Sequence, residues 1–434
     1  MKIAVVGTGY VGLVTATCLA ELGHTVIGLD KDQAKIATIL GGRAPFYEPG
    51  LDELLAANLK KGTLGFTSDE AKAIRASEVI FVCVGTPPQE DGSADMSQIE
   101  EVARMIAANL NGYKLVVEKS TVPVKTSYWI KKVMTAFKKS EHPFDVASNP
   151  EFLREGSGVY DFMNPDRVMI GVETERARDL LVRIYERFKD RVVISNIDTA
   201  ELVKHASNSF LAMKISFINR VADLCERTDA DVEMVARGMG LDERIGRSFL
   251  KAGLGYGGSC FPKDVKALAK IGSELGVDMA LFRMVDAINE DRVRVFLEKV
   301  RKALWILKGK TVGVLGLAFK PETDDIREAP SIKIIGELVK QGAALRLYDP
   351  KAADNMKCLF PEDGQAVTYV ADPYEAARGA HILLVVTEWE EVRKLDLARV
   401  KALMANPVLI DGRNVFDPAA VRALGFEYAS IGRK

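Results

Sequence analysis

Residues 2–12 read KIAVVGTGYVG, and the prediction of the fold begins from this stretch. A short apolar run leads into a turn with glycine at Gly7, Gly9 and Gly12, and an apolar helical stretch follows. In a strand–turn–helix unit such glycines allow a tight turn, close approach of the backbone to a pyrophosphate, and close packing of helix on strand. The helix N-terminus then faces the phosphates. The stretch therefore predicts a dinucleotide-binding turn rather than a tight turn without a ligand.

The next strand-like run ends in an acidic residue, Asp30, 18 residues beyond Gly12. A carboxylate at this place accepts hydrogen bonds from the ribose hydroxyls of a dinucleotide and repels a 2′-phosphate. The predicted cofactor is therefore NAD rather than NADP.

The composition indicates how many domains to expect and excludes some classes of protein. The chain has 434 residues with 59 basic and 60 acidic side chains, so two or three domains are expected and nucleic acid is excluded as the main partner. Apolar residues make up 48% and charged residues 27%, as in globular rather than disordered chains. The cysteines are odd in number, scattered and never in a CxxC pair, which predicts a reducing compartment rather than disulfides. They are Cys18, Cys83, Cys225, Cys260 and Cys358.

Residues 3–20 carry no charge and superficially resemble an export signal or a membrane span. Three glycines interrupt them, only one lysine precedes them, and a second strand-like run follows at once. No other apolar run approaches the ~20 residues that span a bilayer. A cytoplasmic protein is therefore expected.

Short apolar runs alternate with helical stretches in both halves of the chain, which predicts an α/β fold with parallel sheets. The strands are predicted at 3–6, 25–29, 79–84, 115–118, 144–147, 168–171, 191–195, 311–315, 344–348, 381–386 and 408–410. The predicted architecture is two Rossmann-like doubly wound domains joined by a central helical domain with a long helix. The boundaries are 1–197 for the NAD-binding domain, 198–305 for the central helical domain, and 306–434 for the second Rossmann-like domain.

The long helix is predicted over residues 198–227, which lack Gly and Pro and repeat apolar residues at helical spacing. Asp198 and Glu201 have the spacing of a capping box at its start. Near residue 311, TVGVLGLAF followed by LRLYDP echoes the first strand–turn unit. This second unit lacks the full glycine pattern, so it does not predict a second dinucleotide.

Lys204 and Asn208 lie four residues apart on that helix and therefore on one face. Most such pairs are simply solvated. Here the neighbours are mainly apolar, and an ammonium beside a reacting oxygen can stabilise developing negative charge. Both interpretations stay open on the residues alone.

Cys260 stands in the glycine-dense segment GYGGSCFPKD, where Pro262 favours the start of a helix. A cysteine at a helix N-terminus has a stabilised thiolate and can act as a nucleophile. Asp264, one turn further on, can act as a base. The other four cysteines are predicted to be inert core residues.

A nucleophile beside a nicotinamide site predicts a particular reaction. Oxidation of an alcohol to an aldehyde needs only a base and a hydride acceptor. An aldehyde must first gain a nucleophile before it gives up a second hydride, and a thiolate supplies one through a thiohemiacetal and then a thioester. The combination therefore predicts a four-electron oxidation of an alcohol to an acid.

Motifs in a fixed order along essentially the whole chain match those of a known family. The chain resembles the UDP-glucose 6-dehydrogenases, within the nucleotide-sugar dehydrogenases. The matching strings are GTGYVG (7–12), VGTPP (84–88), STVPVKT (120–126), SNPEFLREG (148–156), MNPDRV (163–168), KHASN (204–208), DERIGRSFLKAGLGYGGSCFPKD (242–264), GLAFKPETDDIREAPS (316–331) and DGRNVFD (411–417).

The resemblance implies NAD-dependent oxidation of UDP-glucose to UDP-glucuronate and roles for individual residues. The implied catalytic residues are the nucleophile Cys260, the base or water activator Asp264, the oxyanion-side pair Lys204 and Asn208, and Glu151 and Thr121 at the catalytic water. The implied cofactor contacts are Gly7, Gly9, Tyr10, Val11, Gly12, Asp30, Lys35, Val84, Gly85, Thr86, Pro87, Ser120, Thr121, Val122, Glu155, Lys263 and Arg327. The implied substrate contacts are Glu151, Phe152, Leu153, Glu155, Lys204, Asn208, Arg244, Lys251, Leu254, Gly255, Tyr256, Gly257, Phe319, Lys320 and Arg413.

Arg244 matches a residue that reaches the neighbouring subunit's site, which implies a homodimer joined through the central helices. No metal is predicted, because the four histidines lack partners at metal-ligand spacing. Three alternatives remain. One is the same chemistry on GDP-mannose or a UDP-N-acetylhexosamine. Another is a two-electron 3-hydroxyacid dehydrogenase, which leaves Cys260 and residues 310–434 without a role. The third is an NAD-sensing or structural protein, which the intact set of predicted catalytic residues disfavours.

Overall fold

The computed structural model describes residues 1–89 and 92–434. The described chain forms two compact units. The first comprises Met1–Ser207 with Lys270–Gly276, and the second comprises Asn208–Ala269 with Val277–Lys434.

An eight-stranded sheet forms the centre of the first unit. Its strands are β1 (Lys2–Val6), β2 (Thr25–Leu29), β3 (Leu64–Thr67), β4 (Val79–Val82), β5 (Lys114–Glu118), β6 (Phe144–Ser148), β7 (Val168–Gly171) and β8 (Val192–Ser195). Their order across the sheet is β3-β2-β1-β4-β5-β6-β7-β8. Every neighbouring pair is parallel except β6 with β7, which pair antiparallel through Ser148 and Gly171.

Helices cover both faces of this sheet. They are α1 (Tyr10–Glu21), α2 (Gln33–Leu40), α3 (Leu51–Lys61), α4 (Glu70–Ala76), α5 (Ser97–Ala108), α6 (Thr126–Phe137), α7 (Gly158–Met163) and α8 (Glu175–Ile184), with a 3₁₀ helix at Glu186–Arg191. Strand β1 is therefore buried on both faces, because Ile3 and Val5 belong to one apolar core and Ala4 and Val6 belong to another. Burial on both faces explains why the strand is apolar throughout rather than alternating.

The middle of the chain is helical, as predicted. Its helices are α9 (Ile197–Cys225), α10 (Val232–Gly240), α11 (Phe261–Glu274) and α12 (Ala280–Leu304). The predicted capping box at the start of α9 is wrong. Asn196 caps the helix instead, because its Oδ1 accepts from the Thr199 amide at 2.9 Å. Glu201 is buried and accepts from the amides of Lys125 and Ser127, so its carboxylate joins α9 to the start of α6.

A second, six-stranded sheet follows, with order β11-β10-β9-β12-β13-β14 and parallel pairing throughout. Its strands are β9 (Thr311–Leu315), β10 (Ala344–Tyr348), β11 (Val367–Tyr369), β12 (Ile382–Val385), β13 (Val408–Asp411) and β14 (Glu427–Ala429). Its helices are α13 (Pro330–Lys340), α14 (Ala353–Lys357), α15 (Pro373–Ala377), α16 (Glu390–Arg393), α17 (Leu397–Leu403) and α18 (Pro418–Ala423). The predicted fold class is confirmed, with two doubly wound sheets and a helical middle.

Three strands, β3, β11 and β14, were absent from the sequence prediction. Each has three or four residues and lies at an edge of its sheet, where part of its surface is exposed and the apolar signal is weak. The three-domain division stays a prediction. The prediction that Cys358 is a core residue is wrong, because its side chain is exposed directly after α14, whereas Cys18, Cys83 and Cys225 are buried.

Candidate active site

The glycine turn between β1 and α1 has the geometry of a phosphate cradle. Gly7 has φ +91°, and a Cβ there would meet the Cys83 carbonyl oxygen at 2.7 Å. A Cβ on Gly12 would stand 1.8 Å from the Gly7 carbonyl oxygen, so only glycine allows helix and strand to pack this closely. Around Gly9, no heavy atom of the described residues outside the turn lies within 4 Å of a built Cβ. That open space above a helix N-terminus fits a pyrophosphate.

Asp30 lies just after β2 and is held by neighbouring donors. Its Oδ2 accepts from the Thr8 amide at 3.0 Å, the Thr8 hydroxyl at 2.7 Å and the Lys35 ammonium at 2.9 Å. Its Oδ1 accepts from the Asp32 amide at 3.0 Å. Partial burial pushes the pKa of Asp30 up, but these hydrogen bonds outweigh it and lower the pKa to about 2. The carboxylate is therefore ionised and suited to accept from ribose hydroxyls, which fits NAD.

Two loops predicted to touch the cofactor follow β4 and β5, the neighbours of β1 on one side. They meet because parallel strands place their carboxyl ends at one sheet edge. The Ser120 hydroxyl donates to the Val84 carbonyl at 2.9 Å, and the Thr86 hydroxyl donates to the Thr121 carbonyl at 2.9 Å. Val122 is buried, and its carbonyl binds the His205 ring nitrogen at 2.8 Å.

Glu151 and Lys204 form a buried ion pair in the first unit. The Lys204 ammonium donates to Glu151 Oε1 at 2.8 Å, and each side chain is only 4% exposed. Glu151 Oε2 accepts from the Leu153 amide at 2.5 Å, while the Phe152 ring centroid lies 5.6 Å from the Lys204 nitrogen. Two predicted catalytic residues, 53 positions apart, thus share one hydrogen bond.

In the second unit, the buried Asp264 accepts a hydrogen bond from the Asn208 amide nitrogen at 2.6 Å. Asp264 lies in the first turn of α11, and its amide donates to the Cys260 carbonyl at 2.8 Å. Cys260 therefore immediately precedes α11, half-buried, with the Ser259 hydroxyl 3.6 Å from its sulfur. Lys263, also in the first turn, is half-buried. A thiol at this helix N-terminus is placed for thiolate stabilisation.

The glycine-dense segment before Cys260 is buried. Asn289 makes two hydrogen bonds to the backbone of Tyr256. Its Oδ1 accepts from the Tyr256 amide at 2.8 Å, and its Nδ2 donates to the Tyr256 carbonyl at 3.0 Å. Gly255 has φ +88°, and a Cβ there would stand 2.3 Å from that Oδ1. A Cβ on Gly257 would meet the Glu328 carbonyl at 2.4 Å. Leu254 is buried beside these glycines.

The remaining predicted substrate contacts of the second unit cluster around Arg413. Its guanidinium donates to the carbonyls of Val386 at 2.7 Å, Gly255 at 3.1 Å and Phe319 at 3.2 Å. The segment before Cys260 is thereby joined to loops of the second sheet. Lys320 lies over the Phe319 ring at 5.4 Å.

Three other cations predicted to touch ligand form ion pairs. Lys251 pairs with Glu388 at 3.2 Å, Arg327 with Asp325 at 2.7 Å, and Arg244 with Asp242 at 2.6 Å. Arg244 is 88% exposed in the single chain. The structure thus gives each cation a carboxylate partner that the sequence reasoning did not assign.

The second sheet has its own acidic residue after β10, in the place that corresponds to Asp30. Asp349 Oδ2 accepts from the Leu317 amide at 2.6 Å, the Ala318 amide at 3.0 Å and the Trp389 indole at 3.0 Å. Asp349 is buried, so its acceptor atoms organise the local loop rather than face a ribose.

Sequence reasoning missed several buried polar residues that position the site. Glu48, Lys119 and Glu201 lie in the first unit, and Asn219 and Asn289 lie in the second. Lys119 donates to the Asn149 carbonyl at 3.2 Å and its Oδ1 at 3.1 Å, just before Pro150 and Glu151. A signal existed for Lys119, a charge at the end of an apolar strand. None existed for the two asparagines.

Among residues 1–89 and 92–434, no three His, Cys, Asp or Glu side chains group closely enough to hold a metal ion. None of the helices in that described part combines the length and apolar composition needed to cross a bilayer.

Comparison with known proteins decides the family. Three consecutive family models match, those of the NAD binding, central and UDP binding domains of the UDP-glucose/GDP-mannose dehydrogenase family, over residues 1–189, 198–291 and 313–418. The chain belongs to this family. It is an NAD-dependent oxidoreductase, so the predictions of an enzyme and of NAD as its cofactor are confirmed.

Similar members of the UDP-glucose/GDP-mannose dehydrogenase family extend over the whole of this chain. A UDP-glucose 6-dehydrogenase of Rhizobium meliloti strain 1021 is 46% identical over 440 residues and is covered completely. UDP-glucose 6-dehydrogenase TuaD of Bacillus subtilis strain 168 is 45% identical, with 93% of its length covered. Among solved structures, a UDP-glucose dehydrogenase from the archaeon Pyrobaculum islandicum superposes with a TM-score of 0.93 at 39% identity, covering 100% of this chain and 98% of that one.

Proposed function

We propose that this family member oxidises UDP-glucose to UDP-glucuronate in a four-electron, NAD-dependent reaction. The names of the relatives at 45–46% identity support the substrate. The placement of Cys260 carries the proposed chemistry, because a half-buried thiol directly before a helix, after a buried glycine segment, is suited to covalent catalysis.

The dinucleotide would be held by the turn at Gly7–Gly12, by Asp30 and Lys35, and by the loops at Val84–Pro87 and Ser120–Val122. Bound NAD supplies the hydride acceptor, once for each of the two oxidations. Within this chain, Tyr10, Val11, Glu155, Lys263 and Arg327 remain proposed contacts.

In the first oxidation, a sugar C6 hydroxyl loses a proton and a hydride and becomes an aldehyde. The Lys204 ammonium would stabilise the negative charge that develops on that oxygen. Its pairing with Glu151 at 2.8 Å keeps this ammonium in place in a buried setting. Glu151 and Thr121 would orient the catalytic water, and Asn208 would complete the oxyanion side.

In the second oxidation, the Cys260 thiolate adds to the aldehyde carbon, and the oxygen gains a proton to give a thiohemiacetal. Loss of a hydride and that proton leaves a thioester. Water then breaks the carbon–sulfur bond, which returns the thiolate and releases the carboxylate with two protons. Asp264 would act as base toward this water, oriented by the hydrogen bond from Asn208 at 2.6 Å.

For the nucleotide sugar, the proposed contacts are Phe152, Leu153 and Glu155 in the first unit and the Leu254–Gly257 segment with Phe319, Lys320, Lys251 and Arg413 in the second. Arg413 donates to Gly255 and Phe319 carbonyls, so it would shape this wall as well as touch the ligand. The proposed organisation keeps domains 1–197, 198–305 and 306–434.

A homodimer through the central helices, with Arg244 reaching the neighbouring site, is part of the proposal. Helix α9 supports it, since Phe210, Phe217 and Leu224 recur every seven residues and are each about half exposed in the single chain. Residues at this spacing form one apolar stripe along a helix, which is typical of helix–helix association. Sedimentation of the purified chain measures the assembly.

The decisive experiment compares wild-type protein with Cys260→Ser. Wild type is expected to form two NADH per UDP-glucose, and the variant to lose this turnover while it still binds NADH and UDP-glucose in calorimetry. Cys358→Ser is the matched control, because that thiol is exposed beside α14 and should keep full activity. Full activity of Cys260→Ser would refute the thioester route, and one NADH per substrate would favour a two-electron dehydrogenase. A panel with GDP-mannose and UDP-N-acetylhexosamines tests the sugar.

A further inference from the structure

A buried carboxylate outside the predicted site residues joins two of the site's loops. Glu48 lies between α2 and α3 and is only 6% exposed. Its Oε2 accepts from the Tyr10 hydroxyl at 2.7 Å and from the Gly156 amide at 2.6 Å, and its Oε1 accepts from the Gly158 amide at 2.7 Å. Hydrogen bonds to an ionised acceptor are stronger than those between neutral groups, so the Glu48 carboxylate holds these three groups together strongly.

The groups joined by Glu48 come from distant parts of the sequence. Tyr10 is the first residue of α1 and belongs to the glycine turn. Gly156 and Gly158 lie more than 100 residues further on and directly follow the segment Phe152–Glu155. The carboxylate therefore connects the proposed cofactor turn to the loop that carries proposed substrate contacts.

Packing around this junction is close. The Tyr10 hydroxyl also lies 3.0 Å from the Arg154 carbonyl oxygen, and the Tyr10 ring packs against Phe46 at a centroid distance of 5.3 Å. A Cβ on Gly158 would stand 2.2 Å from the Tyr10 hydroxyl oxygen. The two loops consequently have little room to move independently.

We propose that Glu48 is a positioning residue that keeps the glycine turn and the Phe152–Gly158 loop in register, so that NAD and the nucleotide sugar are bound by one connected element. It acts through Tyr10, Gly156 and Gly158 rather than by touching the ligands. The sugar part of this inference rests on the proposed function, whereas the cofactor part does not.

Glu48→Gln tests the proposal with little change of shape. The glutamine has one acceptor oxygen, and its NH₂ group would face a donor, so at least one of the three hydrogen bonds is lost. We expect the dissociation constants of NADH and of UDP-glucose, titrated separately by calorimetry, each to rise about tenfold, the size of losing a hydrogen bond to a charged group. Glu53→Gln, an exposed carboxylate on α3, is the control and should leave both unchanged.

A second variant covers the case in which Glu48→Gln does not fold. Tyr10→Phe removes only the hydroxyl, and we expect it to weaken NADH binding several-fold. The double variant should bind NADH no worse than Glu48→Gln alone, since both changes break the same connection.

A lower melting temperature with unchanged dissociation constants would assign Glu48 a structural role only and overturn the inference, as would unchanged NADH binding in Tyr10→Phe. The NADH titration separates this inference from the proposed function. Absence of UDP-glucose turnover in wild type contradicts the substrate, but it leaves the NADH arm of the test intact.

Discussion

Mutation of the buried Glu151–Lys204 ion pair is the most stringent test of the electrostatics of this site. Lys204→Met keeps the length and apolar stem of the side chain and removes its charge. It would leave the Glu151 carboxylate, 4% exposed, without the ammonium that now lies 2.8 Å from its Oε1. The Leu153 amide at 2.5 Å would remain as a donor to the other oxygen.

The expected loss of stability follows from the balance between the attraction of the two charges and the cost of removing them from water. At 2.8 Å and an effective dielectric constant near 20, the attraction of two unit charges is about 6 kcal/mol. Desolvation of the two ions costs several kcal/mol each, so the intact pair contributes little net stability. Removal of one partner leaves an uncompensated buried charge, and we expect Lys204→Met to lower the free energy of unfolding by about 3–5 kcal/mol.

Urea unfolding followed by circular dichroism measures this loss. The double variant Lys204→Met/Glu151→Gln should recover most of it, because neither charge then remains buried. The matched control is Lys131→Met, which breaks an exposed pair with Glu173 at 2.6 Å and should cost less than about 1 kcal/mol. A loss in Lys204→Met as small as in this control, or a double variant as unstable as the single one, would refute the reasoning.

Two further predictions concern the same unit. Gly12→Ala should weaken NADH binding at least about tenfold in calorimetry, because its Cβ would stand 1.8 Å from the Gly7 oxygen, whereas Gly65→Ala, with no described neighbour within 4 Å of its Cβ, should not. Burial lowers the pKa of Lys119 from 10.5 to about 8, so above pH 8 the unfolded chain binds more protons than the native one. The unfolding free energy of wild type relative to Lys119→Met should therefore rise by about 1.5 kcal/mol between about pH 8 and about pH 9.5, and a flat or falling difference contradicts the assignment.

Much of the fold could be predicted from the sequence because its central strands are buried on both faces. Strands such as β1 and β4 are continuous apolar runs bounded by turns, and this signal is local. Strands β3 and β14 escaped prediction, since they are short, lie at the sheet edges and mix apolar with polar residues. The capping-box prediction failed for another reason. Glu201 had the right spacing, but tertiary packing placed the amides of Lys125, just before α6, and Ser127, in its first turn, within reach of the Glu201 carboxylate.

The candidate site likewise has features that could be predicted from the sequence and features that could not. The glycine turn and the start of α11 at Cys260 are local, so residue types at fixed spacing were enough to predict them. The pairings were not predictable from spacing. Lys119 and Glu201 are charged residues that would be placed on the surface by composition alone, yet both are buried among specific partners.

By itself, the sequence determined the alternation of strands and helices, the turn at Gly7–Gly12 and the motifs that place the chain in its family, since each depends on neighbours along the chain. Only the tertiary structure decided which buried charges meet. Glu151 meets Lys204 on α9, and Glu48 meets the first residue of α7, Gly158, because folding packs together segments that are far apart in the sequence. A charge withdrawn from water must find a partner wherever packing places one, and that place is a property of the whole fold.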